Sequence, residues 1–396
     1  MNFQSDICVV GDGAIGRALA IGLSQQGYSV TLLRPHSRAP QAQGSWDTRV
    51  YALNHAARNL LSDLRVWDAM DPSRIAPVDA MLIHGDSAHA GKLDFDAWNA
   101  RSSELAWIVE DSNLEQAMDG ALRYAQRLQQ AQGRATRLLQ QAEGVELQLE
   151  NGDLIRSSLL IGADGRHSWV RGQCDIGITY RDYYQQGVVC NFECELPHHG
   201  RAQQWFLGRD GIVALLPLPG QRLSLVWSAP NPLAEQLLRE PLQQLAQRLS
   251  DLPGQIAGRL TPLQPESVQA IPLLFIRAQS MIAQRVLLAG DAAHGVHPLA
   301  GHGMNLGFGD VAALFKLLDS DEARRDCGDD RVLRRYARAR REDVLLMQVA
   351  TDGLERLFSS EIEPLRIVRN LGMDVLNRLP FVKRRLIAHA MGLASF

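Results

Sequence analysis

Three glycines near the start of the chain have the spacing of a nucleotide-binding turn. Gly11, Gly13 and Gly16 follow a short apolar strand pattern and precede a helical one. The first glycine allows a tight turn, the second lets a pyrophosphate approach the backbone, and the third lets the helix pack closely on the strand. The backbone N–H groups at the helix start, those of Ala14 and Ile15 included, are then placed to bind phosphates.

Arg34 stands about twenty positions beyond these glycines, where a dinucleotide site ordinarily has an acid for the ribose hydroxyls. Three interpretations are open: a contact to a 2′-phosphate, an adenosine held by stacking and backbone contacts, or weakened cofactor binding. We favour the second.

A second chemical segment lies far along the chain, RVLLAGDAAHGVHPLAGHGMNLGFGD at residues 285–310. Asp291 follows a buried-strand pattern, a turn with a proline comes next, and Gly301, Gly303 and Asn305 open another helix. This arrangement suits a second part of the same cofactor, with Asp291 accepting from a ribityl hydroxyl and the helix N-terminus facing a flavin ring.

Histidines in the same segment raise the alternative of a metal. His294 and His297, with Asp291 and His302 nearby, superficially resemble an iron ligand set. The glycine- and proline-rich surroundings favour packing around a flavin instead, so we expect no metal. His297 and His302 are weak catalytic candidates that could hydrogen-bond a flavin or relay a proton, and rings that only pack the loop are as good an interpretation.

With IGADGRHSWVR at residues 161–171, these segments resemble the three-motif signature of the p-hydroxybenzoate-hydroxylase-like flavin monooxygenases. From end to end the chain is similar to the ubiquinone-biosynthesis flavin hydroxylases within that class. The matching features are Asp47-Thr48-Arg49 with Ala52-Leu53, Trp67, Ile108-Val109-Glu110, Asp291 to His294, His297-Pro298, Pro364-Leu365-Arg366 and Arg369 to Gly372. Three residues depart from the pattern: Arg34 replaces the usual Glu, His302 the usual Gln and Gly309 the usual Arg.

The resemblance implies an FAD site and assigns its residues. The glycines from Gly11 to Gly16 would hold the pyrophosphate, and Asp291 the ribityl chain. Arg49 and Glu110 would contact the ribityl-pyrophosphate region, and Asp164 and Arg166 belong to a motif that in this class bridges cofactor contacts and pyridine-nucleotide reactivity. The residues that would border the isoalloxazine are Gly301, Gly303, Met304 and Asn305. Pro298 and Leu299 would line the substrate site.

The implied activity is hydroxylation of the aromatic ring of a polyprenylated phenol or quinol intermediate of ubiquinone biosynthesis, through a C4a-hydroperoxyflavin formed with dioxygen. No second glycine-rich βαβ motif is present for a resident nicotinamide, so external NAD(P)H or a reductase must supply electrons. Two alternatives stay open: a non-catalytic FAD-binding scaffold subunit of a biosynthetic complex, and a hydroxylase of a small soluble aromatic acid.

The elements that must position these residues predict an α/β fold. We expect a Rossmann-like FAD-binding domain (1–75, 97–175 and 270–330), an inserted antiparallel-sheet substrate domain (76–96 and 176–269) and C-terminal helices (331–396). The patterns predict a βαβ unit from Asp6 to Leu33, one long helix from Asp111 to Gln132, and a small meander with separate strands at Leu154 to Ile155 and Leu159 to Ile161. Between Tyr180 and Ser228, strand patterns separated by Gly and Pro predict a second sheet.

Composition sets the class of protein. The 396 residues are 46% hydrophobic and 21% charged, as in folded soluble chains, and the net charge of −3 gives no field for nucleic acid. Five scattered cysteines indicate a reducing compartment, with Cys190 and Cys194 read as packing residues that could share a helix face. With no secretory or membrane-spanning pattern, a cytoplasmic protein is expected.

The C-terminal residues are basic and amphipathic. Apolar residues recur every three or four positions from Leu365, and Lys383-Arg384-Arg385 follow beside apolar neighbours. Residues 365–393 could therefore contact anionic lipid or partner subunits of a ubiquinone-biosynthesis complex, or simply cover the flavin domain, which is at least as good an interpretation.

Overall fold

The computed structural model describes residues 1–34, 45–85, 92–98, 102–263, 268–295 and 302–359, with residues 302 and 354–359 described by their backbone alone. The strands, numbered in chain order, are β1 (Asn2–Val10), β2 (Val30–Arg34), β3 (Val50–Leu53), β4 (Ile75–Val78), β5 (Ala80–His84), β6 (Lys92–Asp96), β7 (Ala106–Glu110), β8 (Leu128–Gln132), β9 (Ala135–Gln140), β10 (Val145–Leu149), β11 (Leu154–Gly162), β12 (Ile178–Cys194), β13 (Arg201–Phe206), β14 (Ile212–Leu218), β15 (Arg222–Pro230), β16 (Leu260–Pro262), β17 (Gln269–Ala278), β18 (Ile282–Ala283), β19 (Val286–Leu288) and β20 (His294–Gly295). The helices are α1 (Ala14–Gln25), α2 (His55–Asp63), α3 (Asp111–Tyr124), α4 (Trp169–Gln173), α5 (Asn231–Arg239), α6 (Leu242–Ser250), α7 (His302–Leu318), α8 (Asp321–Arg325) and α9 (Asp330–Ser359).

A parallel sheet is built around the first strand. Its order is β18-β19-β11-β1-β2-β8, with β18 antiparallel at one end and β10 and β9 added antiparallel beside β11. Ile7, Cys8 and Val9 have no exposed surface, as expected for a strand covered on both faces. Helices α1 and α7 pack together over one face: a Cβ at Gly22 would lie 2.0 Å from the Phe315 ring. This is the predicted Rossmann-like unit.

A largely antiparallel sheet forms the second layer, with β12 between β15 and β17. Side chains on one of its faces form a core with α5 and α6, among them Phe192, Trp205, Leu225, Leu245 and Leu249. The opposite face meets the small sheet β3-β7-β4, where Leu218 packs with Ile108. The two sheets together confirm the predicted fold class, while the domain boundaries stay a prediction.

Three local expectations were wrong. The predicted helix Asp111 to Gln132 ends at Tyr124, because residues 128–132 pair in parallel with β2 and Ala131 is buried beneath that edge. The two short strands predicted between Leu154 and Ile161 are one strand, β11, which pairs with β1 along its length and lies inside the main sheet.

Cys190 and Cys194 lie on strand β12 rather than on a helix. Both side chains are buried in the core beneath α5 and α6, and burial raises the pKa of the Cys190 thiol to about 11. Their packing role is therefore confirmed, although the shared face belongs to a strand. All five cysteines are free thiols.

Helix α9 closes the described part of the chain against both layers. Tyr336 is buried and its hydroxyl donates to the Leu288 carbonyl oxygen of β19, while Gln348 donates to the Ile276 carbonyl oxygen of β17. Among the helices of the described ranges, none is both long enough and apolar enough to span a bilayer.

Candidate functional site

The glycine turn after β1 leaves open space at one position only. Gly11 has φ of +121°, and a Cβ there would lie 2.2 Å from the Ala163 carbonyl oxygen. A Cβ at Gly16 would lie 2.0 Å from the Gly11 carbonyl oxygen, whereas a Cβ at Gly13 would meet nothing within 4 Å. Gly13 is also the N-cap of α1, and no side chain caps that helix. Uncapped N–H groups beside open space are suited to binding an anion.

The second predicted segment packs against the start of the same helix. Ile15 of α1 lies between two glycines, Gly290 after β19 and Gly307 in α7. A Cβ at Gly290 would be 3.3 Å from Ile15 Cγ1, and one at Gly307 would be 2.7 Å from Ile15 Cδ1. The structure therefore brings the glycine turn and the segment around Asp291 into one region.

Arg49 and Asp291 approach each other beside this region. Asp291 is exposed, and the Arg49 guanidinium lies 3.6 Å from the carboxylate of Asp111. Burial alone would lower the pKa of Arg49, but Tyr51, Asp111 and Asp291 raise it overall. A half-exposed cation next to an accessible carboxylate offers one group for phosphate and one for a hydroxyl.

Glu110 lies beneath the segment that carries Arg49. Its carboxylate is fully buried and accepts from the Asp47 N–H at 2.5 Å and from Arg74 Nε at 2.5 Å. Burial raises the pKa of Glu110 despite the opposing effects of Arg74 and that N–H group. The Asp47 carboxylate in turn accepts from the Arg49 N–H at 2.9 Å. Glu110 thus positions residues 47–49 from below.

Asp164 caps a helix. Its carboxylate accepts from the Ser168 hydroxyl at 2.6 Å and from the Val170 N–H at 3.1 Å at the start of α4. Within the same motif, sequence reasoning missed the role of the buried Arg171, which donates to the Ala292 carbonyl oxygen at 2.8 Å. Burial lowers the pKa of Arg171, with Asp164 opposing that effect. Arg171 therefore joins the third motif to the loop that carries Asp291.

Asn305 fastens helix α7 to the strand that follows Arg49. Its amide donates to the Ala52 carbonyl oxygen at 2.8 Å and accepts from the Asn54 N–H at 3.0 Å. Met304 packs against the main core, and Gly303 is partly exposed beside it.

A buried ionic cluster behind the Asp291 loop was also missed. Asp310 is fully buried and accepts from His294 Nε2 at 2.7 Å, from Arg340 Nε at 2.7 Å and from the Gly290 N–H at 2.8 Å. A Cβ at Gly309 would lie 2.9 Å from Arg340 Nη2, so the arginine occupies the space of a side chain there. The sequence signal was Gly309 itself, one of the three departures from the family pattern.

Arg34 is the second departure from the family pattern whose surroundings the structure describes. Its guanidinium lies 2.9 Å from an Asp12 oxygen and 3.2 Å from an Asp119 oxygen, and it donates to Gln130 at 2.9 Å. Arg34 is thus engaged by protein groups at the end of β2.

Some predicted site residues cannot be placed. His297, Pro298, Leu299 and Gly301 lie outside the described residues, and His302 is seen only as the first residue of α7. In the ranges that are described, no group of three or more His, Cys, Asp or Glu is arranged to hold a metal ion.

Comparison with protein families matches residues 4–348 to a model described as an FAD-binding domain. Among curated proteins, the chain is 34% identical to a ubiquinone hydroxylase, UbiL, of Rhodospirillum rubrum, covering 98% of this chain and 90% of that one. It is also 34% identical to the 3-demethoxyubiquinol 3-hydroxylase of Escherichia coli, covering 99% of this chain and 100% of that one.

Solved structures show the same fold at low identity. A p-nitrophenol 4-monooxygenase from Pseudomonas putida superposes with a TM-score of 0.78 at 18% identity, covering 100% of both chains. Klebsiella pneumoniae HpxO, in complex with FAD and uric acid, superposes with a TM-score of 0.73 at 19% identity, covering 99% of this chain and 96% of that one.

Proposed function

This chain belongs to the FAD-binding domain family and is an FAD-dependent monooxygenase, and from that premise we propose that it hydroxylates the ring of a polyprenylated phenol or quinol in ubiquinone biosynthesis. The observation that carries the proposal is the meeting of the glycine turn and the Asp291 segment around Ile15. Relatives matched over nearly their full length are named a ubiquinone hydroxylase and a 3-demethoxyubiquinol 3-hydroxylase, which supports this substrate class.

The residues present fit an FAD. The open space at Gly13 and the uncapped start of α1 suit a pyrophosphate, because a side chain at that position would fill the approach. Arg49 supplies a cation for the phosphates, and the exposed Asp291 supplies an acceptor for a ribityl hydroxyl. Residues 303–305 would border the flavin ring at the N-terminus of α7.

Bound FAD supplies the redox and oxygen-activating chemistry, with electrons from external NAD(P)H or a reductase. The protein's own part is to bind, orient and exclude water. Arg171 joins the Asp291 loop to residues 161–171, and Asn305 joins helix α7 to strand β3. Asp310 fixes the backbone at Gly290 by accepting its N–H. These hydrogen bonds preorganise the proposed FAD site before substrate binds.

The face of the second sheet turned away from α5 and α6 carries a partly exposed apolar strip, with Arg222 at the start of β15 on the same face. Ala214 and Val226 are paired there across β14 and β15, with Leu216 beside them. A small aromatic acid would need a buried cation for its carboxylate. The buried arginines Arg17, Arg171 and Arg340 lie outside this sheet, whereas Arg222 is partly buried on this face, with its guanidinium 4.9 Å from the Trp46 ring. The soluble-acid alternative is not favoured, because the relatives matched over nearly their full length are a ubiquinone hydroxylase and a 3-demethoxyubiquinol 3-hydroxylase.

The proposal is tested with purified, FAD-loaded protein, NAD(P)H or a reductase, and ¹⁸O-labelled dioxygen. A short-chain demethoxyubiquinol should gain one labelled ring oxygen by mass spectrometry, and p-hydroxybenzoate should gain none. Oxygen transfer to the soluble acid alone would contradict the substrate class. FAD binding without any oxygen transfer would favour the scaffold alternative.

We propose in addition that residues 365–393, which lie outside the described residues, bring the enzyme to a lipid surface that contains its substrate. The full chain should cosediment with vesicles containing anionic phospholipid, and deletion of residues 381–396 should reduce that fraction. Equal cosedimentation of both proteins would contradict the proposal and leave the tail as a cover for the flavin domain or as a contact for other subunits.

A further inference from the structure

Arg34 presents a guanidinium where a dinucleotide site ordinarily presents a carboxylate to ribose hydroxyls. This guanidinium already has protein partners on several sides: Asp12 at 2.9 Å, Asp119 at 3.2 Å and Gln130 at 2.9 Å. A phosphate could bind Arg34 only by displacing carboxylates or by approaching them. The surroundings of Arg34 therefore disfavour a 2′-phosphate and leave the ribose acceptor to be found elsewhere.

Asp12 is the acid nearest to the cofactor loop, because it lies between Gly11 and Gly13. Its carboxylate accepts from Arg17 Nε at 2.9 Å and Nη2 at 3.2 Å, and the Arg34 guanidinium approaches from the end of β2. Arg17 is itself fixed, since it is 5% exposed and also donates to the Glu115 carbonyl oxygen. An acid beside a pyrophosphate would be unfavourable alone, and the two arginines offset that repulsion.

We propose that Asp12 accepts from the ribose hydroxyls of FAD, and that Arg34 is the positioning residue that draws the Asp12 carboxylate to the end of β2. Asp12, in the glycine turn, would thus take the role that an acid at the end of the second strand has in other dinucleotide sites. The inference rests on the FAD site proposed above. Asp119 is the natural comparison, because it contacts the same two arginines from α3 without belonging to the turn.

The experiment measures displacement of FAD from the full-length protein by ADP and by 2′-deoxy-ADP, which differ only in one ribose hydroxyl. Wild type should bind ADP about tenfold more tightly than 2′-deoxy-ADP, the value of a hydrogen bond to a charged acceptor. Asp12→Ala should lose this preference. Asp119→Ala removes a carboxylate from the same arginines and should keep it. A mere loss of packing would weaken both nucleotides alike and leave their ratio unchanged.

The double variant Asp12→Ala with Arg34→Glu puts an acid back on β2. It should regain the preference for ADP, which also guards against misfolding of the single variant. The inference is overturned if Asp12→Ala retains the preference, if Asp119→Ala loses it equally, or if the double variant fails to regain it. Wild type that binds no FAD would instead overturn the FAD site itself, so the two failures are distinguishable.

Discussion

Asp310 is a buried carboxylate whose two cationic or ionisable partners come from different elements. His294 reaches it from β20 and Arg340 from α9, each at 2.7 Å. Replacement by asparagine leaves the buried Arg340 with the exposed Asp343 as its remaining carboxylate, and loss of a buried partner costs about 3–5 kcal/mol in other proteins. We expect Asp310→Asn to lower the free energy of unfolding by that amount in urea titrations.

Asp343 offers the matched control, because it binds the same guanidinium at 2.6 Å but its side chain is 57% exposed. Asp343→Asn should cost less than about 1 kcal/mol, as surface ion pairs do. Equal losses from the two substitutions would contradict a specific role for burial at Asp310.

The pH dependence of this stabilisation has a definite sign. Burial alone would raise the pKa of Asp310, but His294 and Arg340 lower it overall in the folded protein. The stabilisation is therefore present above the unfolded pKa of about 3.9 and is lost as pH falls through the lower folded pKa. The difference in unfolding free energy between wild type and Asp310→Asn should narrow only below about pH 4. Narrowing between about pH 7 and pH 5 would contradict this account.

Alanine substitutions at Gly13 and Gly16 should distinguish effects on FAD binding from effects on folding stability. Alanine at Gly13 meets no protein atom within 4 Å, so Gly13→Ala should change stability by less than about 1 kcal/mol. The same methyl group fills the approach of the pyrophosphate and should weaken FAD binding by about tenfold or more. Flavin fluorescence titration and thermal unfolding measure the two effects.

Gly16→Ala should lower folding stability more than Gly13→Ala does, because its Cβ would lie 2.0 Å from the Gly11 carbonyl oxygen. A loss of about 1–3 kcal/mol in stability is expected from such overpacking. If Gly13→Ala binds FAD as tightly as wild type, the pyrophosphate does not approach the turn at Gly13.

At the scale of elements, one side chain joins α7 to β3. Asn305→Leu removes both its bond to the Ala52 carbonyl oxygen and its bond from the Asn54 N–H. Two backbone groups then lose partners, each worth about 1–3 kcal/mol when left unsatisfied. We expect a loss of about 2–4 kcal/mol in urea unfolding, together with weaker FAD binding, because β3 follows Arg49 directly. Asn305→Asp keeps the acceptor for the Asn54 N–H but turns a carboxylate oxygen toward the Ala52 carbonyl oxygen, so it should lose stability as well. A stability equal to that of wild type in Asn305→Leu would contradict this reasoning.

Elements with strong local signals could be predicted from the sequence. The βαβ unit and the antiparallel strands between residues 180 and 228 have apolar runs bounded by glycine and proline, which act locally. The end of α3 could not be predicted, because residues 128–132 become a strand only by pairing with the distant β2. For the same reason Arg171 and Arg340 were missed: their partners, at Ala292 and Asp310, lie 121 and 30 positions away.

At the scale of the whole molecule, the two large sheets are joined close to the proposed FAD site. Asn191 on β12 donates to the Asp47 carbonyl oxygen at 2.7 Å, next to the segment that carries Arg49. Trp46 lies between Arg74 and Arg222, whose guanidinium groups are 4.2 and 4.9 Å from its ring. The sheet that would hold the substrate is therefore fixed to the residues that would hold the phosphates, and relative motion of the two should disturb catalysis before it disturbs folding.

Asn191→Leu tests this connection. The asparagine is 1% exposed and its Oδ1 has no hydrogen-bond partner among the described residues, so removing that buried acceptor offsets the lost bond to Asp47. We expect the free energy of unfolding to change by less than about 1 kcal/mol. FAD affinity should stay as in wild type, because the Asp47 N–H still donates to Glu110 and the Asp47 carboxylate still accepts from the Arg49 N–H. The substrate ring would no longer be held at a fixed distance from the flavin. We therefore expect kcat/KM to fall by about tenfold or more, with more NAD(P)H oxidised per hydroxylated product. Asn151→Leu, in an exposed turn, is the control for the same side-chain change, and hydroxylation by Asn191→Leu as efficient as that control would show that the two sheets need no fixed connection.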